Sequence, residues 1–224
     1  MYGTVTVRMK TSHYNGVVAA AILMSDIKDE IDWEAPGNST TSIQNNVYIL
    51  GIADYNNGGI ASGLTDTFTE FHNYTVNWGP NNLEWLIDDK VVRSINSTAG
   101  GHGMPASPSR LQISIWPAGI NASAPGTVEW AGGYIDWSNP DYLAAGDFYS
   151  IVESVTVECA ALPEDAPPNA QSFVYGPNVT RGPISAPAVL ITNQSTIDAA
   201  LSLNAINAWT FWTGLLLGSI TLVL

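Results

Sequence analysis

Ten short runs rich in valine, isoleucine, threonine and tryptophan occupy the first 159 residues of this chain, with turn-forming residues between them. Runs of this length and composition predict β-strands. They cover residues 4–10, 17–24, 27–34, 43–52, 72–78, 82–87, 90–95, 110–116, 127–130 and 149–158. No run before the C-terminal tail keeps a 3.6-residue period. The pattern therefore predicts an all-β fold, an antiparallel β-sandwich of the jelly-roll type.

The charge balance excludes one large class of partners. Only 12% of the 224 residues are charged, and the 20 acidic and 7 basic residues give a net charge of −13. Such a surface repels polyanions, so nucleic acid is excluded as the expected partner. Asparagine, serine, threonine and glycine supply the polarity instead, together with eight tryptophans and nine tyrosines. This composition is typical of a secreted β-protein or of a protein that binds a neutral polymer.

Cysteine and histidine, the usual ligands of structural metals, are scarce. Cys159 is the one cysteine of the chain, which excludes an internal disulfide framework and a cysteine-based zinc site. His13, His72 and His102 are far apart in the sequence and follow no metal-ligand spacing. We therefore expect no metal site and no cofactor.

One predicted strand carries three acidic residues at alternate positions. Side chains alternate along a strand, so Glu30, Asp32 and Glu34 share one face and Ile31 and Trp33 share the other. Like charges on one face of a strand repel each other, which makes the pattern unfavourable for stability alone. A solvated face on an edge strand is the alternative, although it does not explain the two large apolar residues on the reverse.

A functional role explains the acidic strand better. At about 3.3 Å per residue, the Cα atoms of Glu30 and Glu34 lie ~13 Å apart. Two glutamates that lean toward each other can approach the ~5–5.5 Å carboxyl separation of retaining glycosidases, one as nucleophile and the other as acid/base. Asp32 between them can hydrogen-bond the nucleophile and hold a proton.

Polysaccharide sites also need flat apolar surfaces for sugar rings. Four aromatic residues in or beside predicted strands are candidates, although each could instead be a core residue. They are Tyr48, Trp116, Trp130 and Trp137.

The E-x-D-x-E pattern over Glu30, Asp32 and Glu34 resembles the catalytic motif of glycoside hydrolase family 16, a jelly-roll family of retaining β-glucan-active enzymes. Further collinear segments between residues 2 and 158 are similar to the fungal Crh-type cell-wall chitin–glucan transglycosylases of that family. They are residues 2–3, 25–34, 44–46, 54–59, 74–78, 83–88, 91–93, 110–116 and 126–133.

The resemblance assigns roles to individual residues. It implies that Glu30 is the nucleophile, Asp32 its helper and Glu34 the acid/base. It also implies that Gln44, Asn46, Trp116 and Trp130 lie near the sugar-binding cleft.

The chain departs from the family pattern at two places. Glu34 is followed by Ala35-Pro36-Gly37, where the family usually has an aromatic residue, so the adjacent subsite is expected to differ. The signal peptide and N-terminal strands of the family are not present before Met1. We therefore expect an N-terminally truncated sequence that begins inside the first visible strand and leaves sheet edges unpaired.

The C-terminal part predicts secretion and a lipid anchor. Residues 160–208 are rich in proline and polar residues, which predicts a disordered stalk. The chain is therefore expected to have three parts: a catalytic domain at 1–159, this stalk, and an apolar tail at 209–224. A short uncharged tail after a polar spacer is typical of a GPI-anchoring signal, with Asp198 as attachment candidate and Asn193 or Ser195 as alternatives. A tail-anchored or buried C-terminal helix is the other interpretation.

Six N-x-[ST] sequons support passage through the secretory pathway, although a chain rich in these residues also forms sequons by chance. The asparagines are Asn38, Asn73, Asn96, Asn121, Asn178 and Asn193.

Together these features predict a secreted, GPI-anchored transglycosylase of the cell wall and outer membrane surface. The resemblance implies a chitin-like β-1,4-linked donor and a β-glucan acceptor. Two alternatives stay open. One is an endo-β-glucanase that only hydrolyses, because both reactions share the first half-reaction. The other is a non-catalytic protein that binds wall polysaccharide.

Overall fold

The computed structural model describes residues 1–54, 57–96, 103–181 and 184–194 of the chain. Twelve strands and two short helices are present in this part. The strands are β1 (Gly3–Lys10), β2 (Val17–Ser25), β3 (Glu30–Pro36), β4 (Ser42–Tyr48), β5 (Gly59–Ser62), β6 (His72–Trp78), β7 (Asn82–Ile87), β8 (Lys90–Asn96), β9 (Ser109–Pro117), β10 (Ile151–Cys159), β11 (Ser172–Arg181) and β12 (Ile184–Thr192). The helices are α1 (Pro125–Trp130) and α2 (Pro140–Ala145).

The first ten strands form two five-stranded antiparallel sheets, in the orders β10-β1-β6-β7-β8 and β5-β4-β3-β2-β9. Apolar side chains from both sheets form one buried cluster, with Val7 and Trp85 from the first sheet and Ala21 and Trp33 from the second. Burial of this surface is the main favourable contribution to folding. The prediction of an antiparallel β-sandwich is confirmed.

The tight turns follow the sequence signals. Asp88 and Asp89 connect β7 to β8 with φ angles of +47° and +65°, and Ile87 pairs with Lys90 across this two-residue loop. Two consecutive positive φ angles match the twist of an antiparallel hairpin, and aspartate tolerates this conformation better than most residues.

One predicted strand is a helix in the structure. Residues 127–130 combine β-forming residue types, yet they lie in α1, which begins with Pro125. Proline is favoured at the first position of a helix because its fixed φ angle suits the turn and it has no N–H to satisfy there. The strand prediction for this run is therefore wrong.

The described residues form two compact units, and the boundary falls between Ala160 and Ala161. The second unit contains an antiparallel hairpin of β11 and β12, in which Val174 pairs with Leu190 and Phe173 with Ile191. The prediction of a disordered stalk is therefore wrong over β11 and β12. Alternating β-branched and aromatic residues favour strands here, and Pro177 lies where the register shifts, a position that tolerates a missing N–H.

Candidate active site

Strand β3 separates the acidic residues from their apolar neighbours. Ile31 and Trp33 are each 1% exposed and belong to the core between the sheets. Glu30 and Glu34 are partly exposed on the opposite face, and Asp32 between them is buried. The predicted alternation of faces is confirmed, and it leaves three carboxyl groups on one side of a single strand.

The neighbouring strand β4 provides one partner for each carboxyl group. Residues directly opposite in an antiparallel pair project to the same face of the sheet. The register pairs Glu30 with Tyr48, Asp32 with Asn46 and Glu34 with Gln44. Three of the residues predicted to bind sugar therefore lie beside the predicted catalytic residues.

These residues lie in a cleft of about 820 Å³. Five segments form its walls: β3, β4, the chain that follows β4, the end of β9, and the region around α1. The lining residues are Glu30, Glu34, Gln44, Asn45, Asn46, Tyr48, Gly51, Ala53, Gly58, Trp116, Ala124, Gly126, Thr127 and Trp130. A cavity of this size is typical of a ligand site.

Two tryptophans form an aromatic wall of the cleft. The rings of Trp116 from β9 and Trp130 from α1 stack with centroids 5.9 Å apart and an interplanar angle of 25°. The indole N–H of Trp130 donates a hydrogen bond of 2.9 Å to Oε1 of Gln44. Gln44 is the residue opposite Glu34, so this hydrogen bond fixes the aromatic wall next to the predicted acid/base.

Burial changes the acidity of Glu34. Desolvation is the largest cause and the negative charge of Glu30 adds to it, and together they raise the pKa of Glu34 to about 7. A carboxyl group with this pKa holds its proton near neutral pH. It can therefore donate that proton to a leaving group.

Asp32 is the most buried of the three acids. Neither of its carboxyl oxygens has a hydrogen-bond partner at normal distance within the described residues. Burial raises its pKa well above the ordinary value, and the charges of Glu30 and Glu34 raise it further. Burial also raises the pKa of Glu30, but there the interactions with Asp32 and Lys28 act in the opposite direction. Burial and the neighbouring charges thus act most strongly against the ionised form of Asp32, whereas Asp32 and Lys28 favour the ionised form of Glu30.

Asp29, just before the acidic strand residues, has a positioning role that sequence reasoning missed. It is fully buried, and its carboxylate accepts hydrogen bonds from the backbone N–H groups of Leu50 (3.1 Å) and Ala106 (2.9 Å) and from the hydroxyl of Ser107. Two distant loops, one with Leu50 and the other with Ala106 and Ser107, are therefore joined to the loop that contains Asp29. Its position within an acidic run gave no signal that its partners lie up to 78 residues away.

Trp137 does not lie in this cleft, contrary to the sequence expectation. Its ring contacts Tyr142 and Phe148, each with a centroid separation of 5.6 Å. Gly132 and Gly133 have φ angles of +86° and +106°, conformations that glycine adopts readily. This turn directs the chain after Trp130 away from the cleft.

The predicted modification sites are on the surface where the structure describes them. Asn73 is partly exposed and the asparagines of the five other sequons are exposed. Asp198, Ser195 and the apolar tail at 209–224 lie outside the described residues. Within the described ranges, no helix has the length and apolar character needed to cross a bilayer. Glycosylation and anchoring stay predictions.

Residues 1–132 match the family model of glycosyl hydrolases family 16, and the chain belongs to this family. Within it, the chain groups with the fungal Crh-type proteins. It is 43% identical over 172 residues to Crh-like protein 2 of Aspergillus fumigatus. The aligned region covers 74% of this chain and 39% of that protein. It is 37% identical over 209 residues to Crh-like protein UTR2 of Candida albicans, covering 87% and 43% of the two chains.

The same relationship is found among solved structures. The structure of a Crh5 transglycosylase in complex with NAG superimposes with a TM-score of 0.68 at 34% identity, covering 78% of this chain and 68% of that chain. The family prediction is therefore confirmed. The chain spans about two fifths of the length of the curated relatives it matches.

Proposed function

We propose that this chain carries the catalytic site of a retaining transglycosylase that acts on cell-wall polysaccharide. The observation that carries the proposal is the placement of Glu30, Asp32 and Glu34 on one face of β3, within a cleft that also has a stacked tryptophan wall. Two carboxyl groups and a flat apolar surface are what retaining glycoside chemistry requires.

In the first half-reaction, Glu34 begins protonated and Glu30 begins ionised. The Glu30 carboxylate attacks the anomeric carbon of the donor while the Glu34 carboxyl transfers its proton to the departing glycosidic oxygen. The C–O bond of the glycoside breaks and an ester bond to Glu30 forms. The raised pKa of Glu34 supports this assignment, because the group still holds the required proton near neutral pH.

In the second half-reaction, the ionised Glu34 accepts the proton of an acceptor hydroxyl. That hydroxyl oxygen attacks the anomeric carbon and releases Glu30 as a carboxylate. Two displacements at one carbon retain its configuration. Asp32 tunes Glu30 in this scheme, since its own raised pKa keeps a proton close to the nucleophile and favours the ionised form of Glu30.

The similarity to the Crh-type proteins supports a chitin-like donor and a β-glucan acceptor for this chain, and a place in cell-wall assembly. The uncharged cleft residues Gln44, Asn46 and Tyr48 suit neutral sugars, because they can exchange hydrogen bonds with hydroxyl groups without a counter-charge. The surface sequons and the apolar tail suit a secreted protein held at the outer membrane surface by a GPI anchor.

A transfer assay tests the proposal. The chain is incubated with chitin oligosaccharide as donor and a fluorescently labelled β-glucan oligosaccharide as acceptor, and the labelled products are separated by size. We expect labelled products longer than the acceptor. Glu30→Gln and Glu34→Gln should abolish them, whereas Glu158→Gln, which changes an exposed acid on the opposite sheet, should not.

Two other outcomes contradict the proposal in different ways. New reducing ends without extension of the label would identify a hydrolase, because water would then replace the acceptor. No reaction, together with polysaccharide binding that Glu30→Gln leaves intact, would identify a binding protein without catalysis.

A further inference from the structure

A second cavity lies outside the catalytic cleft, in the same compact unit. Its volume is about 210 Å³, and it is open to solvent on one side. None of its lining residues borders the cleft. They are His13, Tyr14, Asn15, Asp136, Asn139 and Phe148, and we call this site the aromatic cavity.

An exposed tryptophan flanks the aromatic cavity. Trp137 is 55% exposed, although its ring contacts Tyr142 and Phe148 edge-on. The rings of Tyr142 and Phe148 stack on each other at 4.5 Å, which supports the indole from below. A large apolar ring that is fixed by neighbours and still open to solvent is more typical of a binding surface than of a core.

The polar residues of the cavity are positioned by local hydrogen bonds. Asp136 accepts a hydrogen bond from the backbone N–H of Ser138 at 2.9 Å, which fixes one carboxylate oxygen. The side-chain oxygen of Asn139 caps α2 by accepting from the N–H of Asp141, so its amide NH₂ is the group that can donate to a ligand. The exposed side chain of Asn15 adds a donor and an acceptor.

This set of groups fits one chemical class of ligand. An aromatic face, two amides and a carboxylate suit an uncharged ring with an apolar face and hydroxyl groups at its edge, which is the chemistry of a pyranose sugar. The cavity lining has no lysine or arginine, and Nε2 of its one histidine, His13, already lies 3.1 Å from a carboxylate oxygen of Asp141. These residues suit an uncharged ligand better than a phosphate or sulfate.

The aromatic cavity is close enough to the cleft for one polymer to reach both. Trp130 in the cleft and Trp137 beside the cavity are seven residues apart in the chain, which limits their Cα separation to about 25 Å. The intervening segment is held beside the start of β2 and the end of β9. The carbonyl of Ala131 accepts from the N–H of Gly16 at 2.8 Å, and the N–H of Ile135 donates to the carbonyl of Gly119 at 3.0 Å.

We propose that the aromatic cavity and Trp137 form a second binding site for β-linked polysaccharide, which retains a polymer whose reacting bond lies in the cleft. The proposal rests on the proposed function for the identity of the polymer. Two contacts on one chain raise its effective concentration at the cleft. A short oligosaccharide that occupies only the cleft gains nothing from the second site.

The test compares polymer with oligosaccharide. Retention on chitin particles and on β-glucan particles is measured for Trp137→Ala and Asn15→Ala in a Glu30→Gln background, so that the result does not depend on turnover. Asn15→Ala removes an exposed side chain, which guards against a folding defect. Leu143→Ala, which changes an exposed apolar residue on the neighbouring helix α2, is the matched control.

We expect each of the two variants to weaken retention about three- to tenfold on at least one kind of particle, and Leu143→Ala to have no effect. In the protein with Glu30 intact, the same two substitutions should lower kcat/KM for the polymer relative to kcat/KM for the oligosaccharide by a similar factor. The type of particle that responds identifies the polymer. Unchanged retention on both kinds of particle would overturn the proposal of a second site. The proposed function would still be supported in that case if transfer activity is lost in Glu30→Gln.

Discussion

The indole N–H of Trp85 donates a hydrogen bond of 3.0 Å to the backbone carbonyl oxygen of Asp32, across the core between the two sheets. Trp33 makes the reciprocal contact, since its indole N–H donates to the backbone oxygen of Thr75 at 3.4 Å. Both rings are almost completely buried. The strand that carries the acidic residues is thus tied to the opposite sheet by one hydrogen bond in each direction.

Trp85 also connects the core to the wall of the cleft. The guanidinium group of Arg93 lies over its ring, 4.7 Å from the centroid. Arg93 donates to the side-chain oxygen of Asn45 at 2.8 Å and to the backbone oxygen of Asn57 at 2.6 Å. Asn45 lines the cleft, as does Gly58 next to Asn57, so this arrangement positions the cleft wall from beneath.

Trp85→Phe should lower the free energy of unfolding and alter the position of Asp32 in the site. The change leaves a buried carbonyl without its donor, which costs about 1–3 kcal/mol of unfolding free energy. Denaturant unfolding measures this loss, and Trp33→Phe, the same substitution with its acceptor on the other sheet, is the control. Both variants should be destabilised, but Trp85→Phe should shift the pH profile of kcat more, because the hydrogen bond that it loses ends on Asp32 itself. Identical pH profiles for the two variants would argue against a positioning role.

Glu34→Gln should stabilise the protein at neutral and higher pH. A carboxyl whose pKa is higher in the folded state binds more protons there than when unfolded, so its contribution lowers stability as pH rises from about 4.5 to about 7. The glutamine variant avoids this loss, which is on the order of 3 kcal/mol. Thermal unfolding at pH 4 and pH 8 checks it. A difference between variant and wild type that does not grow with pH would contradict the prediction.

The same pKa predicts an alkaline limit of activity. Glu34 must hold its proton to assist the leaving group, so kcat/KM should fall about tenfold per pH unit above about 7. The measurement uses a soluble oligosaccharide across this range. The control uses a donor whose leaving group departs without a proton. With this donor, Glu34→Gln should still form the glycosyl-enzyme, and the rate of that step should no longer fall at alkaline pH. An alkaline limb that persists in this variant would assign it to a different group.

The aromatic wall predicts a graded response at Trp130. Trp130→Phe keeps a ring beside Trp116 but removes the hydrogen bond to Gln44, and we expect kcat/KM to fall about fivefold. Trp130→Ala also removes the stacking surface and should cost a further three- to tenfold, about the value of one aromatic contact. Steady-state kinetics on one oligosaccharide checks both. Equal losses in the two variants would mean that only the hydrogen bond matters.

The period-two pattern predicted the sheets and the acidic face because side-chain alternation is a local property of a strand. Glu30 and Glu34 needed no knowledge of distant residues to be placed on one face. The motif resemblance then identified Gln44, Asn46 and Trp116 as neighbours of that face, and the strand register supplies the reason.

The parts that sequence reasoning missed depend on contacts between distant segments. The run that ends at Trp130 combines strand-forming residues, but Pro125 begins a helix there and the helix brings the indole to Gln44, 86 residues earlier in the chain. The glycine turn after Trp130 separates Trp137 from the cleft. The proline and the glycines allow these local conformations, but tertiary packing decides where Trp130 and Trp137 lie relative to the cleft.

The proposed mechanism requires Glu30 to form a covalent bond to the donor sugar. The most direct measurement treats the chain with an epoxyalkyl chito-oligosaccharide, which labels the nucleophile of a retaining enzyme, and maps the modified peptide by mass spectrometry. We expect one equivalent of label on Glu30 and none in Glu30→Gln. Label on Glu34 or elsewhere, or the absence of any label on protein that is active in the transfer assay, would contradict it.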